Sequence, residues 1–140
     1  MKVDLLRFAI SNIWLIIAAL VSGGMLLWPL VRLGAGGASV NTLEATQLIN
    51  RSDALVVDVR EPAEYGKGHI LNARNIPLSQ VDHRCAEIEK FKDKPVIVAC
   101  ETGNRSGAAA SILRKRGFGK VFNLSGGVSA WQQAGLPVGK

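Results

Sequence analysis

The chain has 140 residues and carries 17 Lys plus Arg against 11 Asp plus Glu, a net charge of +6. Residues 41–140 hold 14 of those basic residues against 10 acidic ones, an excess too mild to mark a nucleic-acid-binding surface. Two cysteines and two histidines show no metal-ligand spacing, and no internal repeat, low-complexity block or P-loop occurs, so neither a metal nor a cofactor is expected.

Residues 8–31 contain no charged side chain and are bounded by Arg7 and Arg32. At about 1.5 Å per helical residue, 24 positions can cross a hydrocarbon layer of about 30 Å with some tilt. Trp14 and Trp28 fall toward the two ends, where interfacial aromatics belong. The expectation is one transmembrane helix over 8–31, bound to membrane lipid, and a linker over 32–40 leading to a domain over 41–140. A cleaved secretory signal competes, because Lys2, Arg7 and the small residues of 34–38 imitate one, but such signals have apolar regions of only about 7–15 residues. For orientation, Lys2 and Arg7 outweigh Arg32 by one charge and favour an external domain. A short translocatable tail and a solitary reactive thiol favour the cytoplasmic face instead.

Within the domain, Asn41 with Glu44 three residues on forms a capping-box start to a helix through Asn50. Residues 55–59 read as a buried strand, 73–76 as a short strand, 79–91 as a helix, 95–99 as a strand buried on both faces, and 121–124 as another strand. A final helix beginning near Gly126 contains Trp131 as a core residue. The alternation of strands and helices calls for parallel strands with right-handed crossovers.

The most informative segment is Cys100-Glu101-Thr102-Gly103-Asn104-Arg105-Ser106, placed between the 95–99 strand and a helix over 106–116 that ends in Arg114-Lys115-Arg116 before Gly117. A thiol just past a strand terminus faces unpaired helix N–H groups, which favour thiolate and attract anions. Gly103 permits a tight loop, and Arg105 offers a forked guanidinium to an oxyanion. Glu101, beside the thiol, opposes ionisation and repels anionic donors. Cys100 is the expected nucleophile, with Glu101, Thr102, Gly103, Asn104, Arg105 and Ser106 as the substrate-binding loop. Asp58 and Arg60, at a neighbouring strand end, either orient that loop or serve structure alone. Cys85 is a resolving thiol or half-buried packing, His69 is read as structural rather than a proton shuttle, and His83 with Cys85 on one helix does not make a zinc site.

Three segments together resemble the single-domain rhodanese family: Cys100-x-x-Gly103-x-Arg105-Ser106; Asp58-Val59-Arg60-Glu61-Pro62-Ala63-Glu64-Tyr65 with Gly68-His69-Ile70 and Asn75-Ile76-Pro77; and Leu124-Ser125-Gly126-Gly127-Val128 with Ala130-Trp131 and Gly135-Leu136-Pro137-Val138. The resemblance implies a three-layer α/β fold around a five-stranded parallel sheet. It also implies a cysteine that takes a sulfane sulfur from thiosulfate or a similar small anion as a persulfide and passes it to a thiol or cyanide-like acceptor. The six-residue loop from Cys100 to Arg105 matches sulfurtransferases, whereas phosphatases and arsenate reductases of the same fold carry one residue more. A sulfur-relay or adaptor module serving a protein partner is the other reading. Bacterial inner-membrane proteins with one N-terminal span and one such domain resemble the whole chain and tip the expected location to the cytoplasmic face of that membrane.

Overall fold

A computed structural model describes residues 4–35 and 37–140, so Lys2, counted above for orientation, and Gly36 of the expected linker lie outside the described residues. The chain divides into two compact units, residues 1–35 and 36–140.

In the first unit, the single helix expected over 8–31 is replaced by two, α1 (Leu5–Ser11) and α2 (Ile13–Ala35). The Asn12 amide nitrogen Nδ2 donates to the Phe8 carbonyl at 2.8 Å, and the Ser11 hydroxyl donates to the Arg7 carbonyl. Short polar side chains that bond the preceding turn compete with the helical ladder, and α1 and α2 meet at 77° across Asn12. Pro29 sits inside α2, which continues beyond it. Among the described residues no single helix is long and apolar enough to cross a membrane; α1 together with 13–29 passes by length and composition as a bent pair. Leu6, Trp14 and Met25 are each more than three-quarters exposed.

The second unit is the expected three-layer α/β structure. Its parallel sheet has the order β1-β6-β5-β2-β4, formed by β1 (Ser39–Val40), β2 (Leu55–Asp58), β4 (Arg74–Asn75), β5 (Val96–Ala99) and β6 (Val121–Leu124). Alternate residues of the central strands feed opposite faces. Val57, Val96 and Val98 pack with Ala109, Ala110 and Leu113 of α6 (Asn104–Lys115), while Val56, Ile97 and Ala99 pack with Ala45 of α3 (Thr42–Ser52) and with Val128 and Trp131 of α7 (Gly127–Gln133). Both faces being covered, β2 and β5 are buried throughout, which is why they read as unbroken apolar runs. The capping box of α3 forms in both directions, Glu44 N to Asn41 Oδ1 at 2.8 Å and Asn41 N to Glu44 Oε2 at 2.9 Å.

Three features differ from expectation. Residues 79–91 are a single α-helical turn, α5 (Val81–Arg84), between 3₁₀ segments Leu78–Gln80 and Cys85–Phe91. Cys85, Ile88 and Phe91 all pack on one core cluster at a spacing of three, the 3₁₀ period, so the register shifts after one turn. Ser39 and Val40, within the span read as linker, supply the fifth strand by pairing with Asn123 and Leu124. After the short helix α4 (Pro62–Gly66), β3 (His69–Ile70) forms an antiparallel pair with β7 (Val138–Gly139), a second small sheet closing the chain end on the domain.

Candidate active site

β5 ends at Ala99, and the backbone turns at once into the loop that caps α6. Gly103 precedes α6 at φ 98°, a left-handed conformation that favours glycine, and the helix begins at Asn104 rather than at 106. Arg105 and Ser106 therefore lie in the first helical turn, where backbone N–H groups lack partners within the helix. Just before the helix, Gly103 N donates to Cys100 Sγ at 3.0 Å, and the Arg105 and Ser106 amides that follow help to lower the pKa of that thiol.

The thiol itself is buried, 1% exposed. Burial pushes its pKa up, but the Ser106 hydroxyl and the three amides outweigh that and hold it below the ordinary cysteine value. Ser106 Oγ lies 3.4 Å from Sγ and also contacts the Gly103 carbonyl at 3.1 Å and Asn123 Oδ1. One hydroxyl proton faces three acceptors, so it can turn to the sulfur when the thiol ionises. Asn123, a polar residue in a half-buried strand that the sequence reading passed over, fixes the arrangement by donating Nδ2 to the Gly103 carbonyl at 3.2 Å. Ser106→Ala is expected to raise the Cys100 pKa, since a contribution that lowers it disappears. The pH profile of alkylation by iodoacetamide should move to higher pH, and at neutral pH the rate should fall several-fold.

The outer side of the loop is held by α7. Val128 N donates to the Cys100 carbonyl at 2.8 Å and Ser129 N to the Glu101 carbonyl at 3.1 Å. This close approach requires Gly127, at φ 60°, because a Cβ there would collide with both carbonyl groups.

Charged side chains surround the loop in two groups, one around Arg60 and one around Arg105. Arg60, 4% exposed, chelates the buried Asp58 carboxylate (Nη2 to Oδ2 2.8 Å, Nε to Oδ1 3.0 Å), donates to the Gly68 carbonyl at 2.7 Å, and reaches Glu101 Oε2 with Nη1 at 3.0 Å. Arg60 thus connects the β2 end to the loop, and Asn75 Nδ2 binds the Asp58 and Arg60 carbonyls behind it. Glu101 is completed by Ser129 Oγ, which donates to Oε1 at 3.0 Å. Arg105, expected to offer its guanidinium to a substrate oxyanion, forks onto Glu64, with Nη1–Oε1 and Nη2–Oε2 both 2.9 Å. The Arg105 guanidinium lowers the Glu64 pKa to about 2, so the pair stays ionised under any ordinary assay condition. Glu64 is a member of the site that sequence reasoning missed, although it stood inside the Asp58 to Tyr65 signature. Thr102 and Asn104 are exposed at the rim and touch each other at 3.4 Å.

The remaining candidates lie elsewhere. The His69 ring stacks on Tyr65 at 3.7 Å, with Nδ1 bonded to the Tyr65 carbonyl. His83 is exposed, and Cys85 is half-buried with Sγ donating to the Asp82 carbonyl at 3.4 Å. Among the described residues no three His, Cys, Asp or Glu side chains stand together to hold a metal. Trp131 is 4% exposed, its Nε1 donating to the Pro137 carbonyl at 2.9 Å.

Residues 41–134 match the family model of the rhodanese-like domain. An uncharacterised protein of Bacillus subtilis, YqhL, is 53% identical over 78 residues, 56% of this chain, and the match spans 60% of that relative's length. The thiosulfate sulfurtransferase GlpE of Pseudoalteromonas translucida is 32% identical over 95 residues, 68% of this chain and 89% of that protein. Among solved structures, a rhodanese-related protein from Thermoplasma volcanium superposes with a TM-score of 0.65 at 36% identity, covering 73% of this chain and 97% of its own.

Proposed function

The chain belongs to the rhodanese-like family of sulfurtransferases, and from that premise we propose that it moves a sulfane sulfur from thiosulfate or a similar small donor to a thiol or cyanide-like acceptor through a persulfide on Cys100. The observation that carries this reading is one buried sulfur at the start of α6, bonded by the Gly103 amide at 3.0 Å and the Ser106 hydroxyl at 3.4 Å and held below the ordinary cysteine pKa. Ionised Cys100 attacks the outer sulfur of the donor. The donor's S–S bond breaks, and the leaving group, sulfite in the case of thiosulfate, departs with the bonding pair. Cys100 then carries a terminal sulfur whose negative charge the same amides stabilise. An acceptor nucleophile takes that sulfur and returns the thiolate. No net oxidation or reduction occurs over the cycle. A six-residue ring is small for a tetrahedral phosphate, so thiocyanate formation from thiosulfate and cyanide should far exceed hydrolysis of an aromatic phosphate ester; the opposite ranking would favour a phosphatase.

The same reading places the domain at a bacterial-type inner membrane, facing the cytoplasm, where a protein thiol can serve as acceptor. Its support is the uncharged run over 8–31 and the bare apolar side chains of α1 and α2, which in water would be an exposed patch of a kind soluble monomers avoid. The full chain is expected to stay with membranes through high-salt and alkaline washes, because salt releases only electrostatic attachment. Residues 39–140 alone are expected in the soluble fraction. Release of the full chain by salt, or a mature N-terminus near residue 38, would contradict the anchor.

A further inference from the structure

The hydrogen bonds beside Cys100 run in one direction, and that direction is set from outside the loop. Asn123 stands in β6 where the backbone is fixed from both sides, paired with Val98 of β5 and Ser39 of β1, and its N–H donates to the Ala38 carbonyl at 2.9 Å. Its side-chain amide is fixed too, because the Gly103 carbonyl can only accept, so Nδ2 must face it, at 3.2 Å. Oδ1 is left facing the Ser106 hydroxyl and can only accept from it. Ser106 is buried, so its proton goes to Oδ1 and a lone pair of Oγ takes the Cys100 thiol proton, Sγ to Oγ 3.4 Å. The chain from Cys100 to Ser106 to Asn123 suits a thiol.

A thiolate reverses that chain. The sulfur then has no proton to give and accepts one, so the Ser106 hydroxyl must leave Oδ1 and turn to Sγ. The turn strands Oδ1 at a half-buried position, and the lost contact counts against ionisation. The Gly103 carbonyl, 3.1 Å from Ser106 Oγ, is already occupied by Nδ2 and competes less for the hydroxyl. The loop does not rely on Asn123 for its shape, because α7 holds it by the Val128 and Ser129 amides on the Cys100 and Glu101 carbonyls. The charged groups around the sulfur are Glu101 of the loop, Arg105 of α6, Asp58 and Arg60 at the end of β2, and Glu64 of α4, all tied to one another in ion pairs. The strands β5 and β6 and the helix α7 bring no titratable side chain to it.

Resting on the sulfurtransferase reading above for the nucleophile it serves, we propose that Asn123 is a positioning residue acting through Ser106, which holds the hydroxyl proton while Cys100 is a thiol, yields it when the thiolate forms, and so restrains ionisation. One proton leaves Sγ for solvent, and the Ser106 proton turns from one acceptor to the other without leaving Oγ. Such restraint serves the transfer step, because a thiolate made too stable is a poor nucleophile and the best attacking thiol ionises near ambient pH.

The test uses two readouts, neither of which needs a sulfur donor. In the isotope-labelled intact protein, the Asn123 side-chain carbonyl resonance should move with pH at the midpoint that iodoacetamide alkylation gives for Cys100, and in Ser106→Ala most of that movement should vanish. Asn123→Ala should shift the alkylation profile to lower pH, raising the rate about threefold below the midpoint, because the released hydroxyl turns to the sulfur. An asparagine that merely braced the loop would shift it to higher pH, since a loosened loop loses donors to the thiolate. In the Ser106→Ala background, adding Asn123→Ala should leave the profile in place. An Asn123 resonance indifferent to Cys100 ionisation, a profile moved to higher pH by Asn123→Ala, or an equal shift with and without the Ser106 hydroxyl would each overturn the proposal. The resonance titration of the unaltered protein decides it even where a variant folds poorly. Sulfur loading of Cys100, measured separately, tests the sulfurtransferase reading, so the two can fail independently.

Discussion

Cys100→Ser is expected to abolish sulfur transfer, lowering turnover by about four orders of magnitude or more, while the domain still folds. A serine hydroxyl at this position is not ionised near neutrality and cannot hold a transferable sulfur. The change is close in shape, and the buried hydroxyl meets the same amides and Ser106 that now surround Sγ, so its polar cost is compensated. The expected stability loss is only about 1 kcal/mol, readable as a small shift of the thermal midpoint beside a complete loss of activity. Retained turnover in this variant would remove Cys100 from the chemistry.

Arg60→Ala has the largest expected effect on stability. The Asp58 carboxylate is 1% exposed and spends both oxygens on Arg60, so truncating the arginine leaves a buried charge without its partner. Removing one member of a buried pair typically costs about 3–5 kcal/mol, enough to lower the melting temperature of a domain this size by roughly 10 °C or more. Adding Asp58→Asn should recover part of the loss, since the stranded charge goes with it. The single variant also frees Glu101 and the Gly68 carbonyl, so activity should fall along with stability. An Arg60→Ala protein that melts like the parent would show that water or another cation answers Asp58 equally well.

The legibility of this chain follows burial and repetition. β2 and β5 were plain because a strand covered on both faces has to be apolar at every position, and α3 was plain because Asn41 and Glu44 spell its first turn. The candidate site loop was plain for a local reason, a cysteine between a buried strand and a helix start with Gly103 as the hinge. Two-residue elements such as β1, β3 and β7 carry no period to read and exist only through their partners. In 78–91 the apolar residues at 81, 85, 88 and 91 satisfy helical and 3₁₀ spacing alike, and the choice is made by packing. The Glu64 partner of Arg105 was not legible because a guanidinium bonds whichever carboxylate the fold delivers, and Glu64 arrives from 41 residues away. Asn123 was overlooked because a single polar residue in a strand gives no sign of which loop it will face. The N-terminal run was legible as apolar, but its break was set by Ser11 and Asn12, whose side chains bond the turn behind them.

The central claim, that Cys100 carries the transferred sulfur, is tested most directly by peptide mass mapping of the intact protein after brief exposure to mercaptoethanol persulfide or thiosulfate, followed by trapping with an alkylating agent. The account predicts one added sulfur atom on the peptide containing Cys100, lost again when cyanide is supplied, with Cys85 alkylated but carrying no sulfur. Added sulfur on Cys85 with Cys100 unmodified would contradict it.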